Sequence, residues 1–346
     1  MEQKQLDFTL QTLKELIGID SPGGFTDAAA KYVADTLTEM GYAPVFTKKG
    51  GVFCDLGGED GEDGLLLSAH IDTLGAMVAG INGNGTLRLT PLGGLNPNNV
   101  ETENFTIIPR FGDKTFTGTL QMADPSVHVN RGYSEDKRSF ETMQLYLDEL
   151  VESAADTKAL GIEIGDIAAP DPRTIITESG YIKSRFLDDK LSVVILLGLA
   201  KKIKDENLAL KRKVSIYVTV YEEVGHGCSA GIPEDTTEIL SVDMGCVGSL
   251  CACKETQVSI CVKDSHGPSD FDTTTALIAT AKAHNIDYAA DVYPYYGSDA
   301  DAALAAGYDV RHCIIGSGVF ASHGYERTHK KGVEATLALL IHYIEA

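Results

Sequence analysis

The chain has 346 residues, with 29 Lys and Arg against 50 Asp and Glu and a net charge of −21, which argues against nucleic acid and anionic membrane surfaces as partners. Its length suggests about two domains, and its longest apolar stretch, 193–200, is far short of the roughly 20 residues of a membrane span. Seven cysteines without paired spacing read as reduced thiols, and residues 1–10 lack a basic head and apolar core, so the expected location is cytoplasmic.

In chain order, Leu10, Leu13, Leu16 and Ile17 form one helical stripe, and Val33, Leu37 and Met40 form a second that stops at Gly41. A strand region covers 43–56, and the apolar strand 65–69 runs into His70, with Asp72 two residues on. From Thr73 to about Asp166 the texture changes. The turn pairs Asn82-Gly83 and Asn84-Gly85, the alternating run 86–90 and the strand 116–121 predict hairpins and short barrel strands, a small β-rich insert at 74–166 within a larger domain made of 1–73 and 167–346. Inside the insert, Leu145, Tyr146, Leu150 and Val151 have roughly helical spacing and predict a helix within 133–156. The α/β rhythm then resumes with a helix at 191–203, apolar nearly all round and so central. Strands at 214–221, 238–243 and 257–262, a helix at 272–284, a strand at 309–315 and a closing helix at 333–343 follow. Ser298 and Asp301 have the spacing of a capping box for a short helix ending near Gly307.

Three of these strands run out into residues able to hold a metal: His70 and Asp72, Glu222 and Glu223, and Asp243. Short apolar runs buried on both faces are the parallel-sheet pattern, so their carboxyl ends should share one edge, where open α/β sheets bind ligands. Imidazole and carboxylate repeated three times point to a metal-dependent enzyme. A lone histidine at a strand end is more often a satisfied polar residue than a ligand, but Asp72 is placed to take the second ring N–H of His70 and strengthen it as a donor. Asp188 and Asp189 stand before the apolar helix, either as acids favoured by its dipole or as a metal bridge, and the local sequence leaves both readings open. Glu222 and Glu223 would face opposite ways on an extended chain, and after a buried strand they are hard to explain as a solvated face. His323 and His329 share one polar loop, and composition does not choose between them. The single C-x-C of Cys251 and Cys253 reads as core.

The run Gly227-Cys228-Ser229-Ala230-Gly231 matches the G-x-S-x-G elbow, with Asp243 or Asp299 and then His323 downstream, the order of a serine hydrolase. Residues 222–226 separate it from its strand, however, and it leaves His70, Asp72, Asp188 and the glutamate pair without a task. Gly225, Gly227 and Gly231 have the wrong spacing for a dinucleotide loop.

Ala69-His70-Ile71-Asp72-Thr73-Leu74-Gly75, Leu187-Asp188-Asp189-Lys190, Glu222-Glu223-Val224-Gly225, Val242-Asp243-Met244-Gly245 and the loop holding His323 resemble the metal-binding series of peptidase family M42, the cage-forming dinuclear-metal aminopeptidases. The run 91–100 is similar to part of that family's inserted dimerisation domain, and Tyr296-Gly297-Ser298-Asp299-Ala300 to a stretch near its site. One departure is His323-Gly324-Tyr325-Glu326-Arg327, where many relatives carry His-Ser-Pro-Val-Glu. The resemblance implies an α/β domain with a mixed, largely parallel sheet flanked by helices, as in zinc aminopeptidases, interrupted by a small β-barrel. It implies that Asp188 bridges two divalent ions, zinc, cobalt or manganese, completed by His70 and Asp243 on one and by Glu223 and His323 on the other. Glu222 is then the general base and Asp72 the residue that orients His70. Short peptides are the implied substrates, and dimers joined into a dodecameric cage the implied assembly. The same core chemistry would also serve a carboxypeptidase or deacylase. Two other readings carry less: a glycosidase, because adjacent glutamates seldom face each other across a sugar, and an inactive metal-binding scaffold, which has no use for a base beside its ligands.

Overall fold

The computed structural model describes residues 3–58 and 63–345, and the chain divides into two compact units, one running up to Asp72 and again from Arg173, the other Thr73–Pro172. The larger unit is built on a twelve-stranded mixed sheet, counted among the described residues. Its main path runs Val45–Phe46, Val52–Gly57, Val214–Thr219, Gly64–His70, Thr236–Val242, Arg311–Phe320, Glu326–His329, Tyr181–Ser184, Ile175–Ile176. Gly64–His70 is parallel to both its neighbours, and Leu67 registers with Ile216 on one side and Leu240 on the other. Every residue of Gly64–His70 and of Val214–Thr219 is buried, which is why both read as unbroken apolar runs and why their carboxyl ends emerge together.

Helices cover this sheet. Leu187–Glu206 is buried around its whole circumference from Leu191 to Ala200, and it packs on Gln3–Ile17, Asp27–Glu39, Lys330–Glu345 and the strand Gly64–His70. Each fully buried leucine there contributes roughly 1.5–3 kcal/mol through area removed from water. Phe271–Ala283 and the closing helix Lys330–Glu345 fall where periodicity predicts them. The capping box is formed: Asp301 Oδ2 accepts the main-chain N–H of Ser298 at 2.8 Å at the start of Asp299–Ala305. The strand predicted at 309–315 runs Arg311–Phe320, and Tyr181–Ser184, Tyr288–Val292 and Glu326–His329 are strands too short for periodicity to announce.

The smaller unit is a closed six-stranded barrel in the order Gly75–Ile81, Leu87–Leu92, Met143–Leu147, Phe116–Met122, Asn104–Ile108, Ile167–Pro170. Alternate side chains fill it, among them Leu87, Leu89, Phe105, Ile107, Leu120 and Leu145. The helix predicted within 133–156 is absent. Met143–Leu147 is a barrel strand with Met143 and Leu145 inward, Leu150 is fully exposed, and only Ala154–Ala159 is helical, capped by the Ser153 side chain accepting from the Asp156 N–H. Ile167–Pro170 closes the barrel, so this unit extends past residue 166 to Pro172. No helix among the described residues is long and apolar enough to cross a membrane, and all seven cysteines are free thiols.

Candidate metal centre

His70 ends its strand at 1% exposure, with Nδ1 2.9 Å from the main-chain oxygen of Asp72. A carbonyl only accepts, so the ring hydrogen is on Nδ1 and Nε2 is directed at Asp188 Oδ1, 3.2 Å away, with Glu222 Oε2 at 3.6 Å. Asp188 lies in the non-helical start of Leu187–Glu206 and is joined to Asp189 by a cis peptide bond. Its Oδ2 accepts from Ser322 Oγ at 3.0 Å and lies 3.6 Å from His323 Nε2, which is also 3.6 Å from Glu223 Oε2. Asp243, just past Thr236–Val242, accepts from its neighbour's Met244 N–H and from Ser298 Oγ, each at 2.6 Å. The ligand atoms of His70, Asp188 and Glu223 lie within 4.8 Å of one another, as do those of His70, Asp189 and Asp243. His70, Asp188, Glu222, Glu223, Asp243 and His323, far apart in the chain, are thus brought together at one sheet edge.

Three residues take positions other than those expected. The Asp72 carboxylate does not take the His70 ring hydrogen, from which it is 3.8 Å away; it accepts the main-chain N–H groups of Glu222 and Glu223 at 3.1 and 3.3 Å. Glu222 and Glu223 are not on an extended chain. The strand stops at Thr219, Tyr221 turns into the left-handed region, and the pair sits in a single 3-10 turn that sends Glu222 toward His70 and Glu223 toward His323. His329 lies elsewhere, its ring edge-on to Tyr181 and its Nε2 2.9 Å from Ser179 O. Ser229 donates to the main-chain oxygen of His226 at 2.7 Å and accepts from Lys49 Nζ at 3.3 Å, so the elbow sequence forms no serine–imidazole pair among the described residues.

Sequence reasoning did not foresee several supporting contacts. Asp189 Oδ2 accepts the His70 main-chain N–H at 3.2 Å. Glu326, buried, accepts the main-chain N–H groups of Asp188 and His323 at 3.1 and 3.2 Å, fixing two ligand segments at once. Asp299 accepts from Thr219 Oγ1 at 2.9 Å and from the Cys228 N–H at 3.1 Å, and a Cβ on Gly227 would come within 1.7 Å of it, so only glycine fits there. The available signals were the acid at 326 inside the histidine loop and the acid beside Ser298. Phe186, Tyr221 and His323 have φ of 66°, 64° and 62°, three non-glycine left-handed residues at three ligand segments, each costing about 1–2 kcal/mol that the surrounding bonds must hold.

Several buried carboxyls crowd one another here. Burial, then Asp188, pushes the Glu223 carboxyl well above its usual value, and burial likewise raises Glu222, Asp189 and Asp243. Burial opposes protonation of His70, yet Glu222, Asp188, Asp189 and Asp243 together drive its pKa well upward. Glu223 Oε1 and Asp189 Oδ1 are buried with no hydrogen-bond partner among the described residues. Orphaned carboxylate oxygens in a cluster that also holds imidazole nitrogens form a donor set able to hold a divalent metal ion.

The sequence matches the family described as M42 glutamyl aminopeptidase over residues 50–339. Among relatives it is 43% identical over 338 residues, 98% of this chain and 97% of the other, to YhfE of Bacillus subtilis (strain 168), an aminopeptidase candidate by its name. Its fold is that of the aminopeptidase APDkam598 from Desulfurococcus kamchatkensis, with a TM-score of 0.87, 19% identity and coverage of 98% and 95% of the two chains. The TET1 peptidase of Pyrococcus horikoshii superposes with a TM-score of 0.85 at 20% identity, covering 97% of this chain and 99% of that one. The chain belongs to the M42 glutamyl aminopeptidase family of metal-dependent peptidases and is a peptide-bond hydrolase of that family.

Proposed function

We propose that this protein is a two-metal aminopeptidase that releases single residues from the amino termini of short peptides. The observation that carries the reading is the buried His70 Nε2, held by the Asp72 carbonyl so that it is directed at Asp188 at 3.2 Å inside a buried group of carboxylates. In this reading Asp188 would help hold two divalent ions, with His70 and Asp243 as the further ligands of one and Glu223 and His323 as those of the other. When bound, the two ions polarise the scissile carbonyl and make a water molecule acidic enough to ionise near neutral pH.

Glu222 then takes the proton of the attacking water and delivers it to the leaving amine, a task suited to a carboxylate beside the ligands that is not itself one. Asp72 fixes the glutamate turn, and Glu326 fixes the main chain at Asp188 and His323. Mass spectrometry of short peptides incubated with purified protein tests the reading: loss of one N-terminal residue at a time, abolished by a chelator and restored by zinc, cobalt or manganese, is expected. Activity that survives chelation but is lost to a serine-directed phosphonate would overturn it, and release of C-terminal residues or acyl groups would make the enzyme a carboxypeptidase or deacylase.

The barrel unit is proposed to carry a dimer contact, with dimers joined into a closed, dodecameric cage. Phe111, Val127, Val129 and Ile164 expose 63–74% of their surface there, and the TET1 peptidase of similar fold assembles into a tetrahedron or a large octahedral shell. Light scattering that finds only a fully active monomer would refute it. Seven free thiols suit a reducing compartment, so the proposed location is the cytoplasm.

A further inference from the structure

The cavity in front of the metal centre has a volume of about 740 Å³, and beyond the ligands its wall is formed by small or apolar groups such as Met244, Val247, Tyr296, Ala302 and Val319. Beyond the ligands and Glu222, two ionisable side chains interrupt this wall, Asp301 and His266, and no lysine or arginine lines the cavity among the described residues. Asp301 is fixed in place. Its Oδ2 accepts the Ser298 N–H at 2.8 Å, and Ser298 Oγ donates to Asp243 at 2.6 Å, so this carboxylate stands one hydrogen-bonded residue away from the proposed ligand set. His266 Nδ1 lies 3.6 Å from Asp301 Oδ2, and a proton on that exposed imidazole would be offset by the carboxylate beside it. This part of the cavity wall therefore offers no cation to balance the Asp301 carboxylate apart from the adjacent imidazole.

On the aminopeptidase reading, we infer that this cavity selects the first residue by charge, accepting basic and neutral side chains and rejecting Glu and Asp, with Asp301 as the specificity-determining residue. An acidic first side chain would leave water for a wall that offers it no cation and would meet Asp301 as a like charge, the repulsive element on which charge discrimination rests. A lysine or arginine at that position would instead meet a fixed carboxylate.

Matched leucyl, lysyl and glutamyl anilides, assayed at pH 8 with the metal-loaded full-length enzyme, test this. Burial raises the Asp301 carboxyl to about 6, so it is ionised at that pH. The expected kcat/KM for the glutamyl substrate is lower than for the lysyl one by roughly tenfold or more. Asp301→Asn keeps an oxygen for the Ser298 N–H while removing the charge, and it should narrow the lysyl-to-glutamyl ratio. Ala302→Lys, which places a cation on the cavity wall, should raise glutamyl relative to leucyl hydrolysis, and it decides the matter if Asp301→Asn does not fold. A wild-type enzyme that cleaves the glutamyl substrate as well as the lysyl one overturns the inference, as do unchanged ratios in the folded variants. Absence of hydrolysis of all three overturns the aminopeptidase reading and this inference with it.

Discussion

The carboxylate of Asp72 accepts the main-chain N–H of Glu222 at 3.1 Å, and its other oxygen takes the N–H of Glu223 at 3.3 Å. One buried side chain therefore sets the height of the turn that presents both glutamates, while its own main-chain oxygen holds the His70 ring. Asp72→Asn would turn an NH2 group on one of those two donors and push the turn aside. Displacement on the order of 1 Å can cost about a hundredfold in rate. The variant should lose roughly tenfold to a hundredfold in kcat with a smaller change in KM, and it should bind its metal at saturating concentration. Steady-state kinetics and metal content, measured together, check this; full kcat would show that the turn does not need Asp72.

Removal of the metal should act on stability as well as on rate. The raised carboxyls of Glu222, Glu223, Asp189 and Asp243 crowd one buried volume, and ions that bind only the folded chain stabilise it by about 4 kcal/mol per site at a thousandfold excess over Kd. Chelation should lower Tm and abolish turnover, and divalent metal should restore both. Ser229→Ala should change neither, because its hydroxyl only ties down a loop. An unchanged Tm after verified metal loss would mean that the cluster does not need a cation.

The strands expected at 65–69, 214–221 and 238–243 and the helix at 191–203 were legible, to within a few residues at their ends, because unbroken apolar runs of those lengths have few other places to go in a sheet covered by helices. That same reading located His70, the glutamates and Asp243 at strand ends. The partner of the Asp72 side chain was not legible: its acceptor role joins residues 150 positions apart and depends on Tyr221 leaving the strand in a left-handed conformation, which no local pattern announces. Glu326 was missed, and the role of Asp299 as an acceptor was not foreseen, for the same reason, since each accepts from main-chain donors of distant segments. The false helix in 133–156 arose from treating Leu145 and Leu150 as one stripe, whereas Leu145 fills the barrel and Leu150 faces solvent.

Lys190 predicts a pH effect. Its Nζ is buried, donating to the main-chain oxygens of Leu16 and Ile19 at 3.1 and 2.5 Å, and burial lowers its pKa to about 7 with Asp20 opposing. In the unfolded chain a lysine titrates near 10.4, so between about 7 and 10 the unfolded state binds more protons and this group makes stability rise with pH. Below about 7 both states carry the proton and the slope vanishes. Lys190→Met should remove that rise: the difference in unfolding free energy between wild type and variant, both metal-loaded, should move in favour of wild type from pH 7 to pH 9. A pH-independent difference would mean that the lysine folds without losing its proton affinity.

Glu222 and Glu223 are chemically identical neighbours with different proposed tasks, and the structure gives them different surroundings: Glu222 Oε2 lies 3.6 Å from His70, whereas Glu223 Oε2 lies 3.6 Å from His323 and Oε1 is buried without a hydrogen-bond partner among the described residues. Glu222→Gln keeps the shape and removes the base, so the variant should retain its metal while kcat falls by roughly a hundredfold or more. Glu223→Gln replaces an anionic oxygen donor with a neutral amide, so metal affinity should drop and activity should recover in part as metal is added. Metal content per subunit and turnover, titrated against metal for both variants, separate the roles. Loss of metal from Glu222→Gln with full retention in Glu223→Gln would exchange the two assignments, and full activity in both would place the chemistry at some other group of this cluster.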